Sequence, residues 1–488
     1  MKIDLINREI IQGNRFYLAS SFLALVIALL TGGAIGIFGP YALIFVLIGL
    51  ISTYIVIFRQ DELALLFVIA VKLIVDWYLN LYIVSEPLAL GLLLIFFLAR
   101  SRRYPWVEPR ALWLWVLFLI LPIPAVIQGD HTPPYILAYY YPNIFFGALV
   151  MFWLGMLVAR NKSHLRTLFH ALAVLGALFA IHTIIQATTG IFVFNTSYID
   201  AYIATNKFIL TGSGGVARAG SFLQNPDWNG TFFAMMAFLP LGLFSEAASF
   251  LPKILYLVEM LLMLLALLFT YSIGAWIAVL GGMVAFLLFA GRGYYRILVP
   301  VLVVISGIIV MMVFPVQVNL LFQRSSDPGE LSLRTGAWQT ATNVIGAFPL
   351  TGIGLGFYTY AQRAEPYRVP AQYIPLAHPH NSYLELGAMA GLPVLMVFLA
   401  LLLFALWQAW RNWIQADTGT RCLLCGGIAT VVALSVNSVS INGWTLPPLA
   451  AVGWLVLGAT ASPLIKRKRP NEKETIFPHH LNKEEQAS

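Results

Sequence analysis

Charge is what this sequence has least of: 10% of its 488 residues are Asp, Glu, Lys or Arg, whereas 60% are hydrophobic. Soluble globular domains carry roughly 25% charged residues, so that class is excluded. Cysteine is nearly missing. Cys422 and Cys425 form a lone C-x-x-C with no further cysteines to complete a cysteine-rich zinc site, and they read as small packing residues. The apolar segments also lack the alternation of outer-membrane barrel strands; each is a continuous run, which points to helices. No repeat of fixed period and no low-complexity stretch is apparent. No cleavable leader is expected either, because Arg8 and Arg15 precede an apolar run of spanning length without a small-residue cleavage site.

What is present is apolar length. The mean hydropathy is +0.82, and a helix crossing the hydrocarbon needs about 20 mostly apolar residues. Runs near 16–38, 41–58, 63–84, 87–99, 111–127, 144–159, 166–186, 230–247, 253–270, 273–290, 295–315, 382–407, 421–441 and 446–464 predict an all-α polytopic integral membrane protein of about 12–14 transmembrane helices. The chain divides into N-terminal transmembrane helices (1–186), a first outer loop (187–229), central transmembrane helices (230–315), a large outer loop with short helices (316–381), C-terminal transmembrane helices (382–464) and a disordered cytoplasmic tail (465–488).

The formal charge of +8 does not imply nucleic acid. The basic residues crowd one set of short loops, as in "RSRRYPWVEPR", "RNKSHLR" and the "KRKR" that follows the last run, which the positive-inside bias assigns to the cytoplasm. Both termini are therefore expected inside. The opposite loops hold only Lys207, Arg218, Arg324, Arg334, Arg363 and Arg368.

Segments 187–229 and 316–381 are too long for simple connectors, and long loops are often functional. In the second, Leu333, Ala337, Ala341, Val344 and Ile345 fall near one stripe, which predicts an amphipathic helix at the interface with Arg334 in its first turns. Topology does not explain Arg218 and Arg334. Each could pair with a carboxylate such as Asp227 or Glu330, or a planar guanidinium fork could grip a pyrophosphate. His380 follows Pro379 where a helix is expected to start, so its imidazole sits near exposed N–H groups and is suited to general-base work. On that helix His380, Leu384, Gly387 and Gly391 would share a face, and Asn381 and Glu385 could bond each other. H-x-H at His378 and His380, joined by His131 or His182, is a weak metal signal, and no metal or other cofactor is expected. "TGIGLGF" (351–357) does not join a strand to a helix and reads as bends. Lys72 and Asp76, four apart in one run, would neutralise each other.

Three segments in order, "RAGSFLQNPDWNG", "LRTGAWQTATNVIGAFPLTGIGLGF" and "HNSYLELGAMAGLPV", resemble the O-antigen ligase and O-antigen polymerase superfamily of bacterial envelope glycosyltransferases. The motifs span about 210–440. The resemblance implies a GT-C-like helical fold in the bacterial inner membrane, with the site facing the periplasm. It also implies an inverting, metal-independent transfer from a glycan on undecaprenyl pyrophosphate to a hydroxyl of a glycolipid, glycan or protein. Carried over by position, it implies Arg218 and Arg334 as pyrophosphate-binding residues and His380 as the catalytic residue at the acceptor hydroxyl. Asn381, Glu385 and Trp338 support them. This chain departs at Ile273, where many members have arginine, and at Asp227, where asparagine commonly follows the proline. The ligase, repeat-unit polymerase and protein O-oligosaccharyltransferase readings share these motifs; a small-anion, bicarbonate-type transporter is the reading from another class.

Overall fold

The computed structural model describes residues 61–74, 85–98, 106–132, 140–189, 207–208, 216–290, 301, 305, 308, 311–325, 328–369 and 378–465. It is an all-helical membrane protein. The sole described pairing of extended chain is a two-residue antiparallel contact, Lys207–Phe208 with Val216–Ala217. The expected spans 16–38 and 41–58, most of 295–315, and Asp76 lie outside the described residues.

In chain order the helices are α1 (Asp61–Val71), α2 (Ser85–Leu98), α3 (Leu112–Ile120), α4 (Ile123–Ile127), α5 (Gly147–Val158), α6 (Lys162–Thr189), α7 (Pro226–Met236), α8 (Phe238–Glu246), α9 (Phe250–Thr270) and α10 (Ile273–Phe289). They continue with α11 (Pro315–Ser325), α12 (Pro328–Ala347), α13 (Phe357–Arg363), α14 (Ser382–Ala390), α15 (Leu392–Gln415), α16 (Thr418–Asn437) and α17 (Pro447–Ala461). Five stretches are long and apolar enough to cross a membrane: Lys162–Thr189, Pro226–Glu246, Phe250–Thr270, Leu392–Gln415 and Thr418–Asn437. Pro87–Leu98, Leu112–Ile127, Pro142–Val158, Ile273–Phe289 and Pro447–Ala461 are shorter apolar helices.

Where runs break, the residue at fault is visible. Pro240 has no N–H to donate to the carbonyl of Met236, so the ladder between α7 and α8 fails there. Pro122 and Pro124 divide α3 from α4 in the same way. Some helix starts are capped by a side-chain acceptor. The Asn225 side chain takes the amides of Asp227 and Trp228 at 2.8 and 3.3 Å, and Asp417 takes that of Thr420 at 2.9 Å.

Between helices in lipid, close backbone approach and buried polar bonds supply the adhesion. α5 and α17 cross so tightly that a Cβ on Gly155 would stand 2.2 Å from the Leu455 carbonyl. Asn437 on α16 donates to Thr231 on α7 at 2.6 Å, and Asn229 on α7 reaches Thr183 on α6 at 3.2 Å. Lys72, buried beside α2, donates to Ser85 and Asn143. The outward faces of α9, α10 and α15 carry exposed Leu251, Leu255, Leu280, Leu288 and Leu403, as lipid contact requires.

The two ends of the bundle differ. One gathers ion pairs of Asp61 with Arg160, Glu62 with His164, and Glu246 with Lys162 and Arg166. The other gathers the ends of α6, α7, α9 and α16 with α12, α14 and the 438–446 connector; it holds the candidate site.

Besides the breaks at Pro122 and Pro240 inside the runs 111–127 and 230–247, two further expectations change here. The predicted 382–407 span is two helices, because Gly391 at φ +94° turns the chain between α14 and α15, with its missing Cβ facing the Leu350 carbonyl at 2.3 Å. His380 is not on a helix face with Leu384, Gly387 and Gly391. It precedes the helix, which starts at Ser382 with Asn381 as its cap. The amphipathic helix is α12, with Ala337, Ala341 and Val344 buried and Ile345 half-buried. "TGIGLGF" forms bends: Gly352, Gly354 and Gly356 all have positive φ, and the strap is tied by Ile353 N–H to Ala388 O (2.9 Å) and Leu355 N–H to Ala125 O (2.8 Å).

Candidate active site

Arg218 follows the short extended pairing and precedes the turn Ser221–Leu223, which delivers the chain to the N-terminus of α7. Its Nε donates to the carbonyl of Thr270, the last residue of α9, at 2.9 Å, and its Nη2 lies 2.7 Å from Asp227 Oδ1. Asp227 sits in the first turn of α7, where the exposed N–H groups favour a carboxylate. Arg334, from α12, reaches the other oxygen of the same carboxylate, 3.8 Å from Nη2 to Oδ2. Its Nη1 donates to the Ser440 carbonyl at 2.5 Å. Two guanidinium groups separated by more than a hundred residues in sequence thus share one carboxylate, and the three together carry a formal charge of +1.

The connector 438–446 joins this cluster to the histidine segment. Ser382 N–H donates to Ser438 O and Ile441 O at 2.9 and 3.2 Å, and Trp444 N–H returns to Ser382 Oγ at 2.9 Å. Trp228 Nε1, one residue beyond Asp227, donates to Asn442 Oδ1 at 2.9 Å. Ser382, two residues after His380, is therefore anchored on the same connector whose Ser440 carbonyl holds Arg334.

His380 is half-buried with φ +52°, a region that residues with a Cβ seldom enter and that clusters at functional sites. Its backbone N–H donates to His378 Nδ1 at 3.2 Å, and the two rings lie 4.0 Å apart. His378 is buried and stacked on Phe357 at 4.7 Å. Burial, and next to it the neighbouring His380, hold the His378 pKa well below the usual 6.5, so this ring is neutral at ordinary pH.

The supporting residues separate. The Asn381 side chain caps α14 through the amides of Tyr383 and Leu384 at 2.9 and 3.0 Å. It does not bond the Glu385 carboxyl as the sequence suggested; that carboxyl is buried near Tyr140, Leu355, Met389 and Thr445, with Oε2 3.8 Å from His378 Nδ1. Trp338 is half-buried on α12, and its indole N–H has no hydrogen-bond partner among the described residues. The two histidines that could join His378 and His380 in a metal set are engaged elsewhere. His182 Nδ1 pairs with Ser221 Oγ at 2.7 Å, and His131 lies 3.8 Å from Asp130, which binds Arg363. Cys425 is buried, Cys422 is half-buried, and both are free thiols.

Sequence reasoning singled out Asp227 as an arginine partner without seeing that both arginines share it. It missed the connector altogether, since the acceptors at Ser438, Ser440 and Ile441 are backbone carbonyls. No curated protein matches the chain. Residues 259–399 match the family model described as O-antigen ligase, Wzy_C, a segment that includes Arg334 and His380 and begins after Arg218. Over that segment the chain is similar to O-antigen ligase, and with its spanning helices the match supports a membrane glycan-transfer enzyme.

Proposed function

We propose that the protein moves a glycan from undecaprenyl pyrophosphate to an acceptor hydroxyl at the periplasmic face of the bacterial inner membrane. The observation that carries this is the pair Arg218 and Arg334 on one carboxylate, attached through Ser440 to the connector that anchors Ser382, two residues after His380. The acceptor oxygen attacks the anomeric carbon. As that C–O bond forms, the bond from the carbon to the diphosphate oxygen breaks and its electron pair leaves with the diphosphate. His380 takes the hydroxyl proton. The guanidinium groups exchange part of their hold on Asp227 for diphosphate oxygens, where charge grows in the transition state, an effect worth about 3 kcal/mol for one well-placed group. A single displacement inverts the carbon, and no step involves a metal.

The test is transfer in proteoliposomes charged with a glycan on undecaprenyl diphosphate. Lipid A-core, a second lipid-linked repeat and a pilin-type protein are offered as separate acceptors, with and without chelator. Transfer is expected in at least one arm and is expected to persist with chelator. His380→Ala should lower it about 10²-fold or more. Wild-type rates in both His380→Ala and Arg334→Ala would refute the assigned roles, and bicarbonate uptake without glycan transfer would replace the reading by the transporter.

A further inference from the structure

We propose that His378 is the positioning residue of the site: a neutral imidazole whose Nδ1 lone pair holds the His380 backbone amide, fixing the left-handed turn that presents the His380 ring. The inference rests on the reading of His380 as the proton acceptor in glycan transfer.

The chain leaves His380 with a problem that His378 solves. Pro379 has no N–H and Asn381 begins the helix cap, so the His380 amide precedes the helical ladder, in a turn whose φ of +52° is unfavourable for a residue with a Cβ. His378 Nδ1 accepts that amide at 3.2 Å. The accepting ring is itself held, stacked on Phe357, which packs edge-on against Tyr140 at 5.2 Å.

An Nδ1 that accepts a hydrogen bond carries no proton, so the ring must be the tautomer protonated at Nε2. A doubly protonated ring would lose the bond. The groups facing His378 bear on its charge. The His380 ring at 4.0 Å makes two adjacent imidazolium ions unfavourable, Phe357 offers an apolar face, and Glu385 Oε2 at 3.8 Å belongs to a buried carboxyl on α14. Burial and the His380 ring oppose protonation of His378. When His380 takes the acceptor's proton, His378 stays neutral, and the turn keeps its bond through that step.

Two substitutions separate positioning from packing. His378→Asn places a carbonyl oxygen near the position of Nδ1 and does not titrate; His378→Phe keeps a ring against Phe357 and removes the acceptor. In the proteoliposome assay with the full chain, His378→Phe should lower kcat about ten-fold while donor KM moves less than about two-fold. His378→Asn should retain kcat to within about three-fold, with a shallower fall on the acid side of the pH profile. Equal losses in the two variants, or an unchanged His378→Phe, would overturn the proposal. An independent measurement is the ring ¹⁵N spectrum of histidine-labelled protein: His378 should show a protonated Nε2 and a bare Nδ1, and a protonated Nδ1 would overturn the proposal whatever the activity. Absence of glycan transfer by the wild-type protein would instead sink the catalytic reading, leaving the spectrum to decide the tautomer.

Discussion

Asp227→Asn removes the carboxylate that Arg218 and Arg334 share, and the structure gives the direction of the effect. Neither arginine depends on Asp227 alone for its place, since Arg218 keeps the Thr270 carbonyl at 2.9 Å and Arg334 keeps the Ser440 carbonyl at 2.5 Å. Asparagine retains one oxygen acceptor for the 2.7 Å contact of Arg218. The cap of α7 also survives, because Asn225 makes it. What changes is charge, from +1 to +2 over the three groups.

A diphosphate oxygen that contacts either guanidinium stands about 5 Å from the Asp227 carboxylate, where two like unit charges repel by about 1 kcal/mol in water and about 3 kcal/mol near a protein surface. Asp227 is 21% exposed and Arg334 23%, so solvent screening favours the lower half of that range. Asp227→Asn should therefore lower the donor KM about ten-fold at low salt and less at high salt. The assay is a titration of the lipid-diphosphate glycan at fixed acceptor in proteoliposomes at two ionic strengths, with a melting curve to confirm an unchanged fold. An unchanged or higher donor KM at equal stability would refute the electrostatic reasoning and show that Asp227 serves chiefly to aim the arginines.

The other expectations are local. Arg334→Lys keeps the charge but cannot hold Ser440 O and Asp227 together as a planar fork, so it should lose about ten-fold in kcat/KM, and recovery of wild-type kcat/KM would show that charge alone suffices. Asn381→Ala removes the cap of α14 and should destabilise by about 1 kcal/mol, read by thermal melting in detergent. Gly391→Ala drives a Cβ toward the Leu350 carbonyl at an unfavourable φ and should cost about 1–3 kcal/mol, which an unchanged melting temperature would contradict. Burial opposes ionisation of Asp417, but its bonds to Thr420 outweigh it and hold the carboxyl below its usual 3.8. Its contribution to stability is thus present above that value and lost as pH falls through the lower folded-state pKa; Asp417→Asn should flatten this part of a melting profile taken between about pH 2 and 5.

The spanning helices were legible because bilayer thickness imposes a length and a composition that a run of residues displays directly. The break at Pro240 could be read from the missing N–H. The break at Gly391 left a similar clue in Pro393, which has no N–H for the Met389 carbonyl, but the turn itself also depends on Leu350, forty-one residues earlier, pressing against that position. At the site, the residue types and the Asp227 carboxylate were legible, and the backbone partners were not. Arg218, Arg334 and His380 stood out because permanent cations and a titratable ring are conspicuous in an apolar chain. The H-x-H spacing was too weak a signal to imply a metal, and it gave no sign that the backbone turn at His380 aims one ring's lone pair at the other residue's amide. Pro379 was the available clue: lacking an N–H, it makes the next amide the first that needs an acceptor ahead of the helix.

The connector 438–446 shows why partners resist sequence reading. "SVSINGWTL" reads as a plain link between α16 and α17, yet its backbone carbonyls take Arg334 and the Ser382 amide, and its Asn442 takes Trp228. Every residue supplies a carbonyl, so an acceptor of this kind leaves no trace in residue identity. Its position is fixed by the path of the backbone, which the packing of α7, α14, α16 and α17 decides. The site is thus assembled by the carbonyls of Ser438, Ser440 and Ile441, and the buried side chains of Ile441, Asn442 and Trp444 keep those carbonyls in place by seating the loop in the bundle.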